Sequence, residues 1–471
     1  MSEAIGEMIL PGTYIEVRSE GLIGVGGIST GNVGIVGTAA KGPVKKVQIL
    51  GSYGEALDTF GAYDRWSTAQ GATPLTLTRT LEQLFKGGAS SVYAVRIANG
   101  TPATATWSVK GAAPQNGPAP ELIVLSAVSA GTWANDLKVT LSQDKQSIEV
   151  ALGKQKETFA GANAKDLAAA INAGSTLITS SVPAQANEGT APDSIAAATS
   201  GSNGANAVAS DAADGLALLA NQPVNIVVVG GMDANTAGAT VLGHLESTEN
   251  DGRERIAVLG ASSDEVATIN SADATKLGNM RAILVAPGIV ADDAARVGEA
   301  NKAVKLPGSY AAALVAGKLS TLAPHISLTN KDVPADDLTK EYTRAEQKNL
   351  LNNRVLVLQK NLGIRVLKGI TTDSGAFRQI SVRRIVDYAK AGVRIGSNPY
   401  IGRLNNSRVR AALKATLDGF LSSMVLDEML IGYKLDVSAT RAQEINGQAV
   451  VTMTLQPTFS IDFVKVIMNL E

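Results

Sequence analysis

The sequence predicts a multidomain α/β and α+β protein: a core domain built from its N- and C-terminal parts, a parallel βαβ section, and a β-rich inserted domain. Three observations predict it. Between residues 216 and 322, mostly apolar strand-like runs alternate with helical patterns of ten or more residues, as in parallel β-α-β crossovers. From Asn99 to about residue 215 the texture changes to Ala, Ser, Thr, Asn and Gly, broken by short strand-like runs. Beyond 335 a strongly amphipathic helix is followed by runs in which apolar and polar residues alternate.

Taken in order, residues 1–30 read as an N-terminal arm and Gly-rich linker. Within it Ile15 and Val17 alternate with Glu16 and Arg18, the period of a short strand. Residues 31–98 form the N-terminal part of the α/β core. They hold a buried strand at 33–36, a helix at 74–86 with Leu77, Leu81, Leu84 and Phe85 on one stripe, and a strand at 92–97. The β-rich outer domain is expected over 99–215, with strands at 121–126 and 138–141 and a helix at 165–173. The βαβ section, 216–335, should place strands at 224–229, 255–259 and 281–286, and helices at 236–247, 264–277 and 310–319. Near-continuous apolar strands imply a sheet covered on both faces.

The C-terminal α+β domain, 336–456, should hold helices at 343–353, 379–390 and 407–425, with strands at 355–358, 364–367 and 450–456. Val409, Leu413, Leu417, Phe420, Leu421 and Met424 make one stripe on the 407–425 helix. Residues 457–471 read as a C-terminal strand arm, with Phe459, Ile461 and Phe463 alternating with Ser460 and Asp462.

Composition narrows the function classes. The 471 residues are 45% hydrophobic and 18% charged, a globular balance. Forty-two basic against 43 acidic residues leave a net charge of -1, so bulk charge gives no reason to bind nucleic acid or an anionic membrane. With no cysteine there are no disulfides, thiolate metal sites or thiol nucleophiles, which fits assembly in a reducing cytoplasm. The opening residues show no basic stretch followed by an apolar core, so no secretory signal is expected. The longest apolar runs, such as 226–229 and 282–287, are far shorter than the ~20 residues of a membrane helix, so no membrane insertion is expected.

Catalytic and metal sites find little support. Gly27-Ile28-Ser29-Thr30-Gly31 matches G-x-S-x-G, but that motif needs a strand before it and a helix after it. Here a Gly-rich segment precedes it and a strand comes after it; a serine hydrolase using Ser29, with His244 or His325 as base, stays as an alternative. No dinucleotide fingerprint or P-loop is present. His244 in a helix and His325 in a loop lack a second ligand at metal spacing. Asp292-Asp293 and Asp336-Asp337 read as solvated loop or helix-start charges. No catalytic, cofactor or metal site is therefore assigned, and the chain is not expected to be an enzyme.

One local concentration of charge stands out: Arg378, Arg383, Arg384, Arg403, Arg408, Arg410 and Lys414. A nucleic-acid site would want interleaved aromatics, and only Phe377, Tyr388 and Tyr400 are near. A solvated helix face or, preferably, a contact with an acidic protein surface explains it better.

The run Phe377-Arg378-Gln379-Ile380-Ser381-Val382-Arg383-Arg384-Ile385-Val386-Asp387-Tyr388 resembles the "NVRR" helix of contractile phage tail sheath proteins. The 408–425 helix, the segment 429–437 and the closing strand are similar to the family's elements C-terminal to that helix. Upstream, Pro11-Gly12-Thr13-Tyr14-Ile15-Glu16-Val17 is similar to its "PGVYVEE" strand. Gly131-Thr132-Trp133-Ala134-Asn135-Asp136 is similar to its "G-x-W-G-N" turn, and 307–317 to its "SAALAG" helix. Ser397-Asn398-Pro399-Tyr400 departs from the family's "FEPN" stretch, and Ala134 replaces a glycine.

The resemblance implies a structural subunit that polymerises around an inner tail tube and contracts to drive it through a cell envelope. Its partners would be copies of itself, the inner tube protein, and baseplate and tail terminator proteins. Its place would be the tail of a virion or phage-tail-like particle assembled in the bacterial cytoplasm. Exchange of terminal strands between subunits would use Tyr14, Ile15, Glu16 and Val17 at one end and Phe459, Ile461, Phe463 and Val466 at the other. Arg403, Arg408, Arg410 and Lys414 are the candidate inner-tube contact. Another phage structural role, capsid or baseplate, is the alternative within the same class.

Overall fold

A computed structural model of the chain describes residues 27–69, 74–184, 186 and 189–469. At its centre lies an eight-stranded sheet. In chain order its strands are β1 (Val33–Gly37), β2 (Val47–Leu50), β3 (Val92–Arg96), β4 (Ile226–Val229), β5 (Ile256–Gly260), β6 (Ala282–Ala286), β7 (Leu356–Lys360) and β8 (Ile364–Val366). Their spatial order is β8-β7-β6-β5-β4-β1-β3-β2. The edge strands β8 and β2 run antiparallel to their neighbours, and the six between them are parallel.

Unbroken apolar strands fit because helices cover both faces. Ile35, Val228, Val258, Ile283 and Leu356 face α1 (Leu77–Lys86) and the later helix Gly308–Ser320. Val36, Val229, Leu259, Leu284 and Val357 face α2 (Ala209–Leu219) and α3 (Ala234–Asn250). The helix α4 (Gly308–Ser320) has no polar stripe, and all of 308–317 is buried beneath the sheet. Asp233 starts α3 by accepting from the Thr236 amide at 2.8 Å, which satisfies one of the free N–H groups of the first turn.

The helix expected at 264–277 is broken into short turns, with a wider turn over Ile269–Ala274. There the buried Asp273 accepts from the Ser262 amide and hydroxyl, both at 2.9 Å. The boundary expected at residue 215 falls inside α2, whose Leu216 and Leu219 pack on the central sheet. The boundary expected at 335 leaves β7 and β8 on its far side, although both are strands of that sheet.

The section after Asn99 carries a four-stranded antiparallel sheet (Ser194–Thr199, Thr106–Lys110, Glu121–Ala127, Ile178–Ser181) and a three-stranded one (Lys138–Leu141, Ser147–Leu152, Gln155–Ala160). Together with the helix Ala164–Gly174 they enclose Trp107, Ile123, Leu125, Ile148, Leu167 and Ile171. The Trp133 turn joins this unit to the core. Gly131 sits at φ +139°, and a Cβ there would lie 1.8 Å from the Ala40 carbonyl oxygen, so only glycine fits. Beside it the fully buried Arg96 donates to the carbonyls of Gly42 and Ala130, both at 2.7 Å. Burial pulls its pKa down to about 10.

Asp293 is not the solvated loop residue expected. It is fully buried, 3.3 Å from Arg79, and accepts from the Trp66 amide at 2.8 Å. The Arg79 guanidinium lies 3.9 Å from the centre of the Tyr63 ring. Asp336 and Asp337 are partly exposed and ion-paired, with Lys86 and Lys360 respectively, each at 3.1 Å.

Candidate interaction site

Two helices and a hairpin build the C-terminal unit. α5 (Ile380–Ser397) runs well past the 390 expected for it, and α6 (Ser407–Leu426) packs across it. Asn406 caps α6 by accepting from the Val409 amide at 2.9 Å. The helices meet where α5 has no side chain: a Cβ on Gly392 would lie 1.9 Å from the Phe420 ring. The other face of α6 carries an antiparallel hairpin of β9 (Leu430–Ser438) and β10 (Val450–Pro457). β9 is not among the strands expected from the sequence, although Tyr433, Leu435 and Val437 alternate with Lys434 and Asp436. Among the described residues neither strand of the hairpin pairs with a third.

An ionic network fastens this unit to the core. Arg281, at the start of β6 and 2% exposed, donates to Glu249 at 2.6 and 2.7 Å and to Asp387 at 2.7 and 3.0 Å. Arg383 donates to the same Asp387 at 2.6 Å, and Lys390 reaches Glu249 at 3.0 Å. Burial works against the charge on Arg281, but the Glu249 and Asp387 hydrogen bonds outweigh it and hold its pKa above the ordinary value. The Arg281 hydrogen bonds likewise pull Glu249 down to about 2. Arg384 donates to the carbonyls of Leu322 at 2.8 Å and Thr30 at 3.1 Å, tying α5 to the N-terminal segment, and burial lowers its pKa to about 10.

Arg383 and Arg384 therefore belong to the interior and leave the basic surface inferred from the sequence. Two adjacent arginines on an otherwise apolar stretch of helix, with Asp387 four residues on, were the available signal. Of the four candidate tube-contact residues, Arg410 is engaged with Glu444 at 2.9 Å and Asn405 at 2.8 Å. Lys414 lies 3.8 Å from Asp436. Arg403 and Arg408 are exposed, and among the described residues neither has an acidic partner within ion-pair distance. The exposed Ile401 and Leu404 sit in the same loop.

Between the core and α5 opens a cleft of about 480 Å³, lined by Ser29, Asn225, Glu254, Arg384, Tyr388 and Arg394 among others. Ser29 donates to Asn225 at 3.4 Å. It is followed by the strand β1 where a nucleophile elbow needs a helix, so no such elbow forms. His244 is packed inside α3 with its Nε2 2.8 Å from an Arg255 guanidinium nitrogen. Burial first, and Arg255 second, push its pKa down to about 4, so it stands neutral and accepts from Arg255. Among the described residues no group of three His, Asp or Glu could hold a metal, and no helix is long and apolar enough to cross a membrane.

Among the described residues Phe459 to Met468 pairs with no strand. Phe459, Ile461, Phe463 and Val466 are 60–83% exposed. Tyr14, Ile15, Glu16 and Val17 lie outside the described residues.

The fold is that of sheath proteins. A sheath tail protein from Desulfitobacterium hafniense matches with a TM-score of 0.64 at 19% identity, covering 95% of this chain and 100% of that one. Another, from Listeria innocua, gives 0.65 at 15% identity over 94% and 95%. The contracted helical sheath of the anti-feeding prophage gives 0.55 at 13% identity over 98% and 99%.

The family model of the phage tail sheath protein central domain matches residues 205–372, and that of the tail sheath C-terminal domain matches 372–471. The chain belongs to the phage tail sheath protein family. Among curated proteins, the tail sheath protein of Bacillus phage SP01 is 26% identical over 229 residues, covering 47% of this chain. That of Mycobacterium phage Bxz1 is 24% identical over 257 residues, covering 51%. These alignments span 39% and 42% of the relatives' own lengths.

Proposed function

We propose that this chain polymerises helically around an inner tail tube and contracts to drive the tube through a cell envelope, its subunits joined by exchanged N- and C-terminal strands. The hairpin β9–β10 carries the reading. A two-stranded sheet is marginal by itself, and its open edges offer backbone groups to strands from other copies. The tail beyond Pro457 supports it: a row of exposed apolar residues has no place in an isolated subunit but suits a strand added to a neighbour. Tyr14, Ile15, Glu16 and Val17 take the matching role at the other end. One six-residue strand makes roughly five backbone hydrogen bonds of about 1 kcal/mol each, weak singly but large when repeated through a lattice.

Arg403 and Arg408 face the inner tube, with Ile401 and Leu404 beside them as apolar contacts. Arg410 and Lys414 shape that surface through Glu444 and Asp436. The other partners are baseplate and tail terminator proteins. The site of action is a virion or phage-tail-like particle, assembled in the bacterial cytoplasm, and the chain performs no catalysis.

Negative-stain microscopy of the purified chain tests this: hollow tubes with cogwheel cross-sections are expected. Removing residues 464–471 should leave a folded subunit that forms none, and normal tubes from that truncation overturn strand exchange.

A further inference from the structure

The C-terminal tail leaves β10 with an inverted pattern. From Phe459 to Phe463 the polar residues Ser460 and Asp462 face the body, while Phe459, Ile461 and Phe463 face out at 60–83% exposure. A packed strand does the opposite. Specific polar contacts hold this orientation. Asp462, with its side chain 10% exposed, lies 3.0 Å from Lys368 Nζ. It also accepts from Gln379 Nε2 at 3.2 Å, Thr329 Oγ1 at 3.3 Å and Ser460 Oγ at 3.4 Å. The Ser460 amide donates to Gln379 Oε1 at 3.4 Å. Lys368 is itself 17% exposed and sits 4.7 Å from the centre of the Phe463 ring. Beyond Phe463, no residue of the tail makes a hydrogen bond or ion pair among the described residues, and Val464, Val466, Ile467 and Met468 are 71–84% exposed.

We propose that Asp462 is the fixed point of the C-terminal arm: residues up to Phe463 stay on their own subunit, and only those from Val464 onward reach a second copy. The proposal rests on the strand-exchange reading above and narrows it. It bounds the lattice as well. At roughly 3.4 Å per residue, the six residues 464–469 reach about 20 Å when extended, so they engage an open strand edge of the neighbour only within that distance of Phe463. Released at Thr458, the arm would gain six residues of slack and lose the direction the anchor gives it, which lowers its effective concentration at the neighbour's edge.

The cysteine-free chain allows a direct test in full-length protein. Lys368→Cys and Asp462→Cys are combined and tied by a short bis-maleimide, to which the two thiols add. Tethered subunits should form tubes at a yield within about twofold of wild type. Tethered subunits that stay dispersed while the untethered pair assembles would show that the arm must detach, and would overturn the proposal. If both forms stay dispersed, nitroxide labels decide: at Ile461→Cys the spectrum should be the same in subunit and tube, while at Val466→Cys mobility should fall on assembly. Equal loss of mobility at both sites overturns the proposal. Tubes from the 464–471 truncation would instead overturn strand exchange itself, so the two failures are distinguishable.

Discussion

Arg281 is buried between two carboxylates, and Asp387 serves it and Arg383 together. Removing one partner from such a buried set leaves charge uncompensated, which costs about 3–5 kcal/mol. Asp387→Ala should lower the urea midpoint accordingly without changing its slope. The His244 pKa gives a pH signature. It is held near 4 in the fold against an ordinary 6.5, so the unfolded chain binds an extra proton between those values. The contribution is fully present above about pH 6.5 and is lost as pH falls toward 4, on the order of 3 kcal/mol in all. His244→Gln, which keeps an acceptor for Arg255, should flatten the decline in urea midpoint between pH 6.5 and 4.5. An unchanged slope would mean that His244 is not the titrating group. Glu249 acts on the same side of the scale, its contribution fading as pH drops from about 4.5 toward 2.

At the scale of elements, the helix pair α5–α6 depends on a gap in side-chain volume. Gly392→Ala forces its methyl into the Phe420 ring, and overpacking of this kind costs about 1–3 kcal/mol. Adding Phe420→Leu should recover most of that loss in thermal unfolding, because it removes the clash. Periodicity made most elements legible: the apolar strands of the central sheet and the stripe on α6 stand where the sequence put them. It failed where polar residues turn inward. Arg384 and Asp293 look like surface charges in one dimension and are buried in three, since their partners Leu322, Thr30 and Arg79 lie far away in sequence; Arg383 is buried with its partner Asp387 four residues on, which Arg281 shares from a distant strand. Asp462 deceives in the same way, its alternation right and its facing reversed. The extended pattern of 459–468 was visible, but a strand is defined by its partner, and among the described residues it has none.

For the whole molecule, the material question is which parts assembly needs. The inserted β-rich unit, expected from the sequence to be the outer one, begins and ends at one neck, where the Ala205 amide donates to the Asn99 carbonyl at 2.9 Å, so the two ends of its chain are already adjacent. The proposed assembly surfaces lie outside this unit: the hairpin β9–β10, the tail and the loop of Arg403 beyond residue 400, and Tyr14 to Val17 ahead of it. Replacing 100–204 with a short Gly-containing turn should therefore leave the eight-stranded sheet intact. Stability should fall, because Tyr63 and Leu75 lose the apolar cover they share with that unit and Arg96 loses the Ala130 carbonyl. Compensating substitutions at Tyr63 and Leu75 to polar residues address the exposed patch without touching the C-terminal unit. If lattice contacts come from the arms and hairpin, the shortened chain still polymerises, and its tubes are narrower in negative stain than those of the full chain. A folded, soluble variant that forms no tubes would place an essential contact in the outer unit and would make exchange of terminal strands insufficient for assembly.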